Sequence, residues 1–228
     1  MKKGWARFLI LSLLLAAGLH AAALPPELAT VLQDFRADGP KGWSFTQTTE
    51  AGTESLVEHF DPTEPDFDRW TLLRKDGRAP TAGELQTYHE GKTRRSSGTT
   101  APRLQDQLDL ASATLVRTEQ ERSVWRFQMA PGGFDDRTAR FMTVTVTFHQ
   151  PSRTIELVEI ASTGSFSPVL GVKIAGTKTR MEYSLPTTDH PSLLLHVSLE
   201  VRGRAFWFKS LDQDMTVTYS DHRSAFKK

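Results

Sequence analysis

The chain holds seven histidines, and imidazole is a common zinc ligand, so a metal site is the first chemistry to test. His20 falls in an apolar N-terminal segment. His59, His89, His149, His190, His196 and His222 show neither H-x-H nor H-E-x-x-H spacing, so they read as dispersed surface histidines and no metal ligand is assigned. Gly164-Ser165-Phe166-Ser167 does not match the G-x-S-x-G elbow that exposes a serine nucleophile, and reads as a turn. His59 with Asp61, and His222 with Asp221, are the close histidine–carboxylate neighbours, but a triad needs a nucleophile that the fold must bring to them. Successive strand residues point to opposite faces, so Asp221 and His222 read as charged turn residues. No catalytic residue and no cofactor is assigned, and the chain reads as non-enzymatic.

Two sets of charges remain. Lys92, Arg94 and Arg95 form a basic rim that would grip an acidic partner or a phospholipid head group emerging from a cavity; a solvated helix end is the plainer reading. Lys209, Asp212 and Asp214 surround a tight turn, where mutual pairing would fix the hairpin. The apolar faces carry more weight. Trp125, Phe127, Met142, Val144, Val146, Phe148, Leu195, Val197 and Leu199 recur with a period of two and should turn inward together, lining either a solid core or an apolar ligand cavity.

The N-terminus begins with Lys2, Lys3 and Arg7, continues through an apolar run from Phe8 to Leu19, and reaches Ala21-Ala22-Ala23 before Leu24-Pro25-Pro26. That is the order of a secretory signal peptide, residues 1–23, with an A-x-A cleavage site. The run of twelve residues falls short of the roughly 20 that a membrane span requires. Cleavage would turn 28 basic against 27 acidic side chains into 25 against 27, a net charge of −2. Such a balance disfavours nucleic acid as a partner. The chain has no Cys, which excludes a disulfide framework, a thiolate metal site and an N-terminal lipid anchor on cysteine. The expectation is a periplasmic protein without a lipid anchor, with residues 24–228 as one domain.

The elements that must position these groups are legible from periodicity. Pro25-Pro26 opens a helix with Leu28, Val31, Leu32 and Phe35 on one stripe. Strands are expected near 43–46, 56–60 and 69–74. Thr81-x-x-Glu84 is a capping box that starts a short helix, with Gly91, Lys92, Arg94 and Arg95 near its end. A further short helix is expected over Leu104–Ala113, from Leu104, Leu108 and Ala111 on one side. From Thr114 the period becomes two, giving strands around 125–129, 140–149, 155–160, 172–185 with a bend at Gly176, 193–208 and 215–219. This predicts an α+β fold: a strongly curved antiparallel sheet, an incomplete β-barrel, with an N-terminal helix and one or two short helices covering the concave face.

That order and length resemble the LolA/LolB-like superfamily of periplasmic lipoprotein carriers, and the resemblance covers essentially all of residues 24–228. It implies a half-barrel with helices as a lid over an apolar cavity, and a lipid or a lipidated protein as partner. The segment Arg69–Thr81 is also similar to a recurrent element of secreted bacterial proteins. The functional expectation is a carrier or sensor sheltering a lipid-like apolar group; the alternative is an envelope structural or protein-interaction domain with a solid core and no ligand.

Overall fold

The computed structural model describes residues 23–37, 41–95, 102–132, 136–206 and 208–225. Residues 1–22, with nearly all of the expected leader, lie outside the described residues.

Helix α1 (Pro26–Asp34) begins with a proline where the missing N–H costs nothing, and carries Glu27 in its first turn, where the helix dipole favours an acid. Its apolar stripe places Leu28 and Leu32 fully out of solvent. Three strands follow, β1 (Trp43–Ala51), β2 (Glu54–Phe60) and β3 (Trp70–Lys75), then helix α2 (Ala82–Arg95). A 3-10 turn (Gln105–Gln107) leads into β4 (Leu108–Glu119) and β5 (Arg122–Met129). After the short α3 (Asp136–Ala139) come β6 (Met142–His149), β7 (Thr154–Ser162), β8 (Val172–Tyr183), β9 (Leu194–Ala205), β10 (Lys209–Ser210) and β11 (Gln213–Ser224). No described helix is long and apolar enough to cross a membrane.

All the strands belong to one antiparallel sheet of order β3-β2-β1-β11-β9-β8-β7-β6-β5-β4, with β10 attached to β9. The central meander thus continues through β11 into β1, so the N-terminal strands extend the sheet built by the C-terminal half. Among the described residues β3 and β4 are its edges and the sheet is not closed.

One row of directly opposed residues crosses all ten strands of this path: Leu115, Trp125, Val146, Val158, Met181, Val197, Val217, Thr49, Leu56 and Lys75. Opposed residues share a face, so the whole row points to one side. At the β5–β7 end that side packs on α1, whose Leu28 and Leu32 join one buried cluster with Trp125, Val146 and Val158. At the β3 end Lys75 Nζ lies 3.3 Å from Glu84 of α2. Both helices therefore sit on the same face of a curved antiparallel sheet, an α+β arrangement.

Most of the expected elements form, including the bend in β8, where register shifts between Ile174 and Gly176. The helix expected over Leu104–Ala113 does not. Leu104 precedes only the 3-10 turn, and Leu108 pairs with Met129 as β4 begins. The spacing of Leu104 and Leu108 imitates a helix, but the open side of β5 offers backbone partners that a short, weakly apolar helix would forgo. The β4–β5 register breaks twice, between Asp109 and Thr114 and between Leu115 and Arg117, irregularities that blunt an exposed edge.

Candidate functional site

The two helices cover their halves of the sheet unequally. Beneath α1, Leu28 and Leu32 meet Trp125, Phe127, Val144, Val146 and Phe148, all buried, with Met142 partly buried against them. The indole Nε1 of Trp125 donates to Ser123 Oγ at 3.0 Å, so the one polar atom of that ring is satisfied inside the core.

Helix α2 starts on the capping box that the sequence predicts. The Thr81 amide donates to Glu84 Oε2 at 2.8 Å and the Glu84 amide donates to Thr81 Oγ1 at 3.3 Å. Arg78 adds a fork onto both carboxylate oxygens, at 2.9 and 2.8 Å. The guanidinium, then the Thr81 amide and hydroxyl, hold the Glu84 carboxyl far below the usual carboxylate range. The apolar content of α2 is slight: Leu85 and Tyr88 are only half-buried, in contrast to the fully buried leucines of α1.

What ties α2 to the sheet is a buried acid. Alternation along β2 sends Leu56, Glu58 and Phe60 toward α2, beside Thr49, Gln47 and Phe45 of β1. Glu58 is only 4% exposed, and burying a carboxylate is costly unless it is paired and hydrogen-bonded. Three side chains meet that need: Tyr88 Oη donates to Oε1 at 2.8 Å, Lys92 Nζ reaches the same oxygen at 2.7 Å, and Gln47 Nε2 donates to Oε2 at 3.1 Å. Lys92 Nζ also lies 3.9 Å from the centre of the Trp70 ring, a cation–π position. Trp70 in turn packs on Phe60 and Phe45, with ring centroids 5.1 and 5.8 Å away. Burial, then the bond to Glu58, pushes the Tyr88 phenol well up, so it stays protonated as a donor. With these donors in place, Glu58 anchors α2 to the sheet.

Beside this anchor, between α2 and strands β1, β2 and β11, lies an open cleft of about 430 Å³. Leu56, Met215 and Val217 form its apolar floor, while Gln47, Glu58, Tyr88 and Lys92 stand on one side. Gly91 lies within α2 and lines the cleft; a Cβ built there meets nothing within 4 Å. A second cleft of about 510 Å³ flanks the other side of α2, sharing Leu56, Thr87 and Tyr88 with the first and adding Leu72 and Lys75. Both clefts combine apolar lining with a few polar side chains. Among the described residues no group of three or more His, Asp or Glu side chains is placed to hold a metal ion.

The nine apolar residues singled out by period divide between the two halves. Trp125, Phe127, Val144, Val146, Phe148 and Met142 belong to the packed region under α1. Val197 and Leu199 are half-buried and stand opposite Val217 and Met215, which line the cleft. Leu195 is 39% exposed: register shifts so that His196 faces Glu182 while Leu194 faces Tyr183, leaving Leu195 as the extra residue of a bulge. Of the basic rim, Lys92 is turned inward onto Glu58 and Trp70. The side chains of Arg94 and Arg95 lie outside the described residues.

Two local expectations are corrected. His149 is buried, not a surface residue: its Nδ1 lies 2.7 Å from Ser152 Oγ and its Nε2 3.3 Å from Glu121 Oε2. The Ser152 amide also points at Nδ1, at 3.4 Å, so this Ser–His–Glu chain staples the β6–β7 turn. In the β9–β11 hairpin, Asp214 pairs with Arg202 at 2.6 Å rather than with Lys209, and Asp212 accepts the Gly203 amide at 3.0 Å. The Glu58 anchor was missed altogether, although an acid midway between Leu56 and Phe60 on the apolar side of a strand was its sign. Comparison with family models, with curated proteins and with solved structures finds no match.

Proposed function

We propose that the chain is an exported, periplasmic, non-enzymatic carrier or sensor that shelters a lipid-like apolar group in the cleft beneath α2. The observation behind this reading is the unequal filling of the two halves. Under α1 the leucines interdigitate with the sheet, whereas under α2 a helix with little apolar surface is held off the sheet by a polar anchor, leaving about 430 Å³ above Leu56, Met215 and Val217. That volume lies within the roughly 300–1,000 Å³ range of small-molecule pockets. Each buried methylene of a ligand would contribute about 0.8 kcal/mol, and Lys92 and Gln47 offer a polar edge for orientation. On this reading the curved sheet acts as an incomplete β-barrel with α2 as its lid, as the resemblance to the LolA/LolB-like carriers implies, and a lipid or lipidated protein is the partner.

The rival reading, an envelope interaction domain without a ligand, draws on the solid packing under α1. Native mass spectrometry of protein taken from the periplasm, followed by organic extraction, distinguishes them. The carrier reading predicts a mass excess that extraction assigns to an apolar compound; a bare polypeptide mass with an empty extract would favour the interaction domain.

A further inference from the structure

Among the described residues, the most exposed apolar side chains do not surround the cleft. Leu170 is 101% exposed and Phe208 86%, with Phe206 and Val169 next at 62% and 61%. All four lie at one end of the sheet, where β8 begins and β9 ends. Val172 stands opposite Ala205 and Lys173 opposite Arg204, and the Phe206 amide donates to Gly171 O at 2.7 Å. Gly171 holds a φ of +80°, and a Cβ there would sit 3.0 Å from the Phe206 ring, so a glycine is what lets this aromatic lie against the turn. The turn is built as well as exposed: Phe166 bridges to Ile174 and its ring stacks on Phe141, with centroids 5.7 Å apart.

Charge at this end has one dominant sign. Between Glu159 and Glu182, and between Glu200 and Asp212, the sequence contains no acid. The side chains of Lys173, Arg204 and Lys209 are exposed, and among the described residues none of them forms a side-chain hydrogen bond or an ion pair, although Arg204 lies near enough to Asp212 to interact with it electrostatically. Arg140, also exposed, lies over Phe141 at 4.8 Å. Of the carboxylates on the adjoining hairpin, Asp212 accepts the Gly203 amide and Asp214 pairs with Arg202. An open pocket of about 360 Å³ lies at the same strand ends, lined by Ser167, Gly171, Val172, Lys173 and Arg204.

We infer that this end of the sheet is a docking surface for an anionic lipid bilayer. Strand register sets the cations just behind the apolar turns, with Lys173 opposite Arg204 and Lys209 opposite Ala205. A bilayer presents phosphate at one depth and hydrocarbon just beneath it. A tip with Leu170 and Phe208 foremost and Lys173, Arg204 and Lys209 behind matches that order. Apolar insertion supplies affinity, and the exposed cations supply preference for anionic lipid. The surface is separate from the cleft under α2, and the inference does not depend on the function proposed for that cleft.

The test is flotation of the full chain with vesicles of phosphatidylcholine alone and of phosphatidylcholine mixed with phosphatidylglycerol. The wild type is expected to float with the mixed vesicles and only weakly with the neutral ones. Leu170→Ser with Phe208→Ser, and separately Lys173→Glu with Arg204→Glu, should each weaken binding by more than about tenfold. Both pairs are exposed, and an unchanged denaturation midpoint with an unchanged far-ultraviolet circular dichroism spectrum would show that the fold is intact. Failure of the wild type to bind mixed vesicles, or binding equally strong in both variants, overturns the inference. A concentration-dependent dimer that the Leu170/Phe208 variant abolishes, without vesicle binding, would also overturn it and make the surface a contact between copies of the chain.

Discussion

Lys92 Nζ stands 2.7 Å from Glu58 Oε1, joining the last third of α2 to the middle of β2 across a boundary that apolar packing alone does not hold. The two partners are unequal: the Glu58 side chain is 5% exposed and that of Lys92 23%. Removing the lysine strands a buried carboxylate, whereas removing the acid leaves an ammonium that still reaches solvent and the Trp70 face.

Lys92→Met should therefore destabilise the protein by about 3 kcal/mol, and Glu58→Leu by less. The double variant should recover part of the loss, because a buried pair replaced by apolar groups no longer carries an unpaired charge. Urea denaturation of all four proteins gives the cycle. Equal, additive losses would show that the pair is not the anchor of α2.

Thr81→Ala should cost about 1 kcal/mol through an orphaned helix amide. The acid of the same cap gives a pH signature. The Glu84 carboxyl is held below its ordinary value of 4.5, so the folded state binds fewer protons than the unfolded one. Its contribution is complete above that ordinary value and is lost as pH falls toward the depressed one. Denaturation midpoints measured between about pH 7 and 3 should fall less steeply at the acid end in Glu84→Gln than in the wild type. Parallel curves would contradict the cap.

Gly91 tests whether the cleft is open at the helix. A glycine inside a helix costs roughly 0.5–1 kcal/mol relative to alanine, and the space beside it is empty. Gly91→Ala should raise stability by that amount, read from the urea midpoint, while narrowing the cleft enough to weaken binding of a bulky apolar probe. A destabilised variant would mean that α2 lies closer to the sheet than described.

The fold was legible where burial is one-sided. Met142, Val144, Val146 and Phe148 alternate with threonines because one face of β6 packs and the other is wet, and α1 declares itself through Leu28 and Leu32 four residues apart. The start of α2 was legible because a capping box is local chemistry. The site was not. Glu58 meets Gln47 eleven residues away and Tyr88 thirty away, contacts that only strand register and helix docking create. Leu195 escaped for a related reason, since the bulge that turns it out depends on where β8 ends. The strand β4 was misread because its pairing with β5 outweighs the local spacing of Leu104 and Leu108.

The most direct test of the account places one large side chain in each half of the sheet. In a Leu170→Ser/Phe208→Ser background, which removes the apolar tip, binding of 1-N-phenylnaphthylamine is titrated for the otherwise unchanged protein, for Leu56→Trp and for Val146→Trp. Val146 is fully buried beneath α1, so its replacement should cost about 1–3 kcal/mol by overpacking and leave probe affinity intact while the protein is folded. Leu56 lines the clefts on both sides of α2, so its replacement should cost little stability and abolish binding. No probe binding by the background protein, or undiminished binding by Leu56→Trp, would contradict a ligand cleft beneath α2.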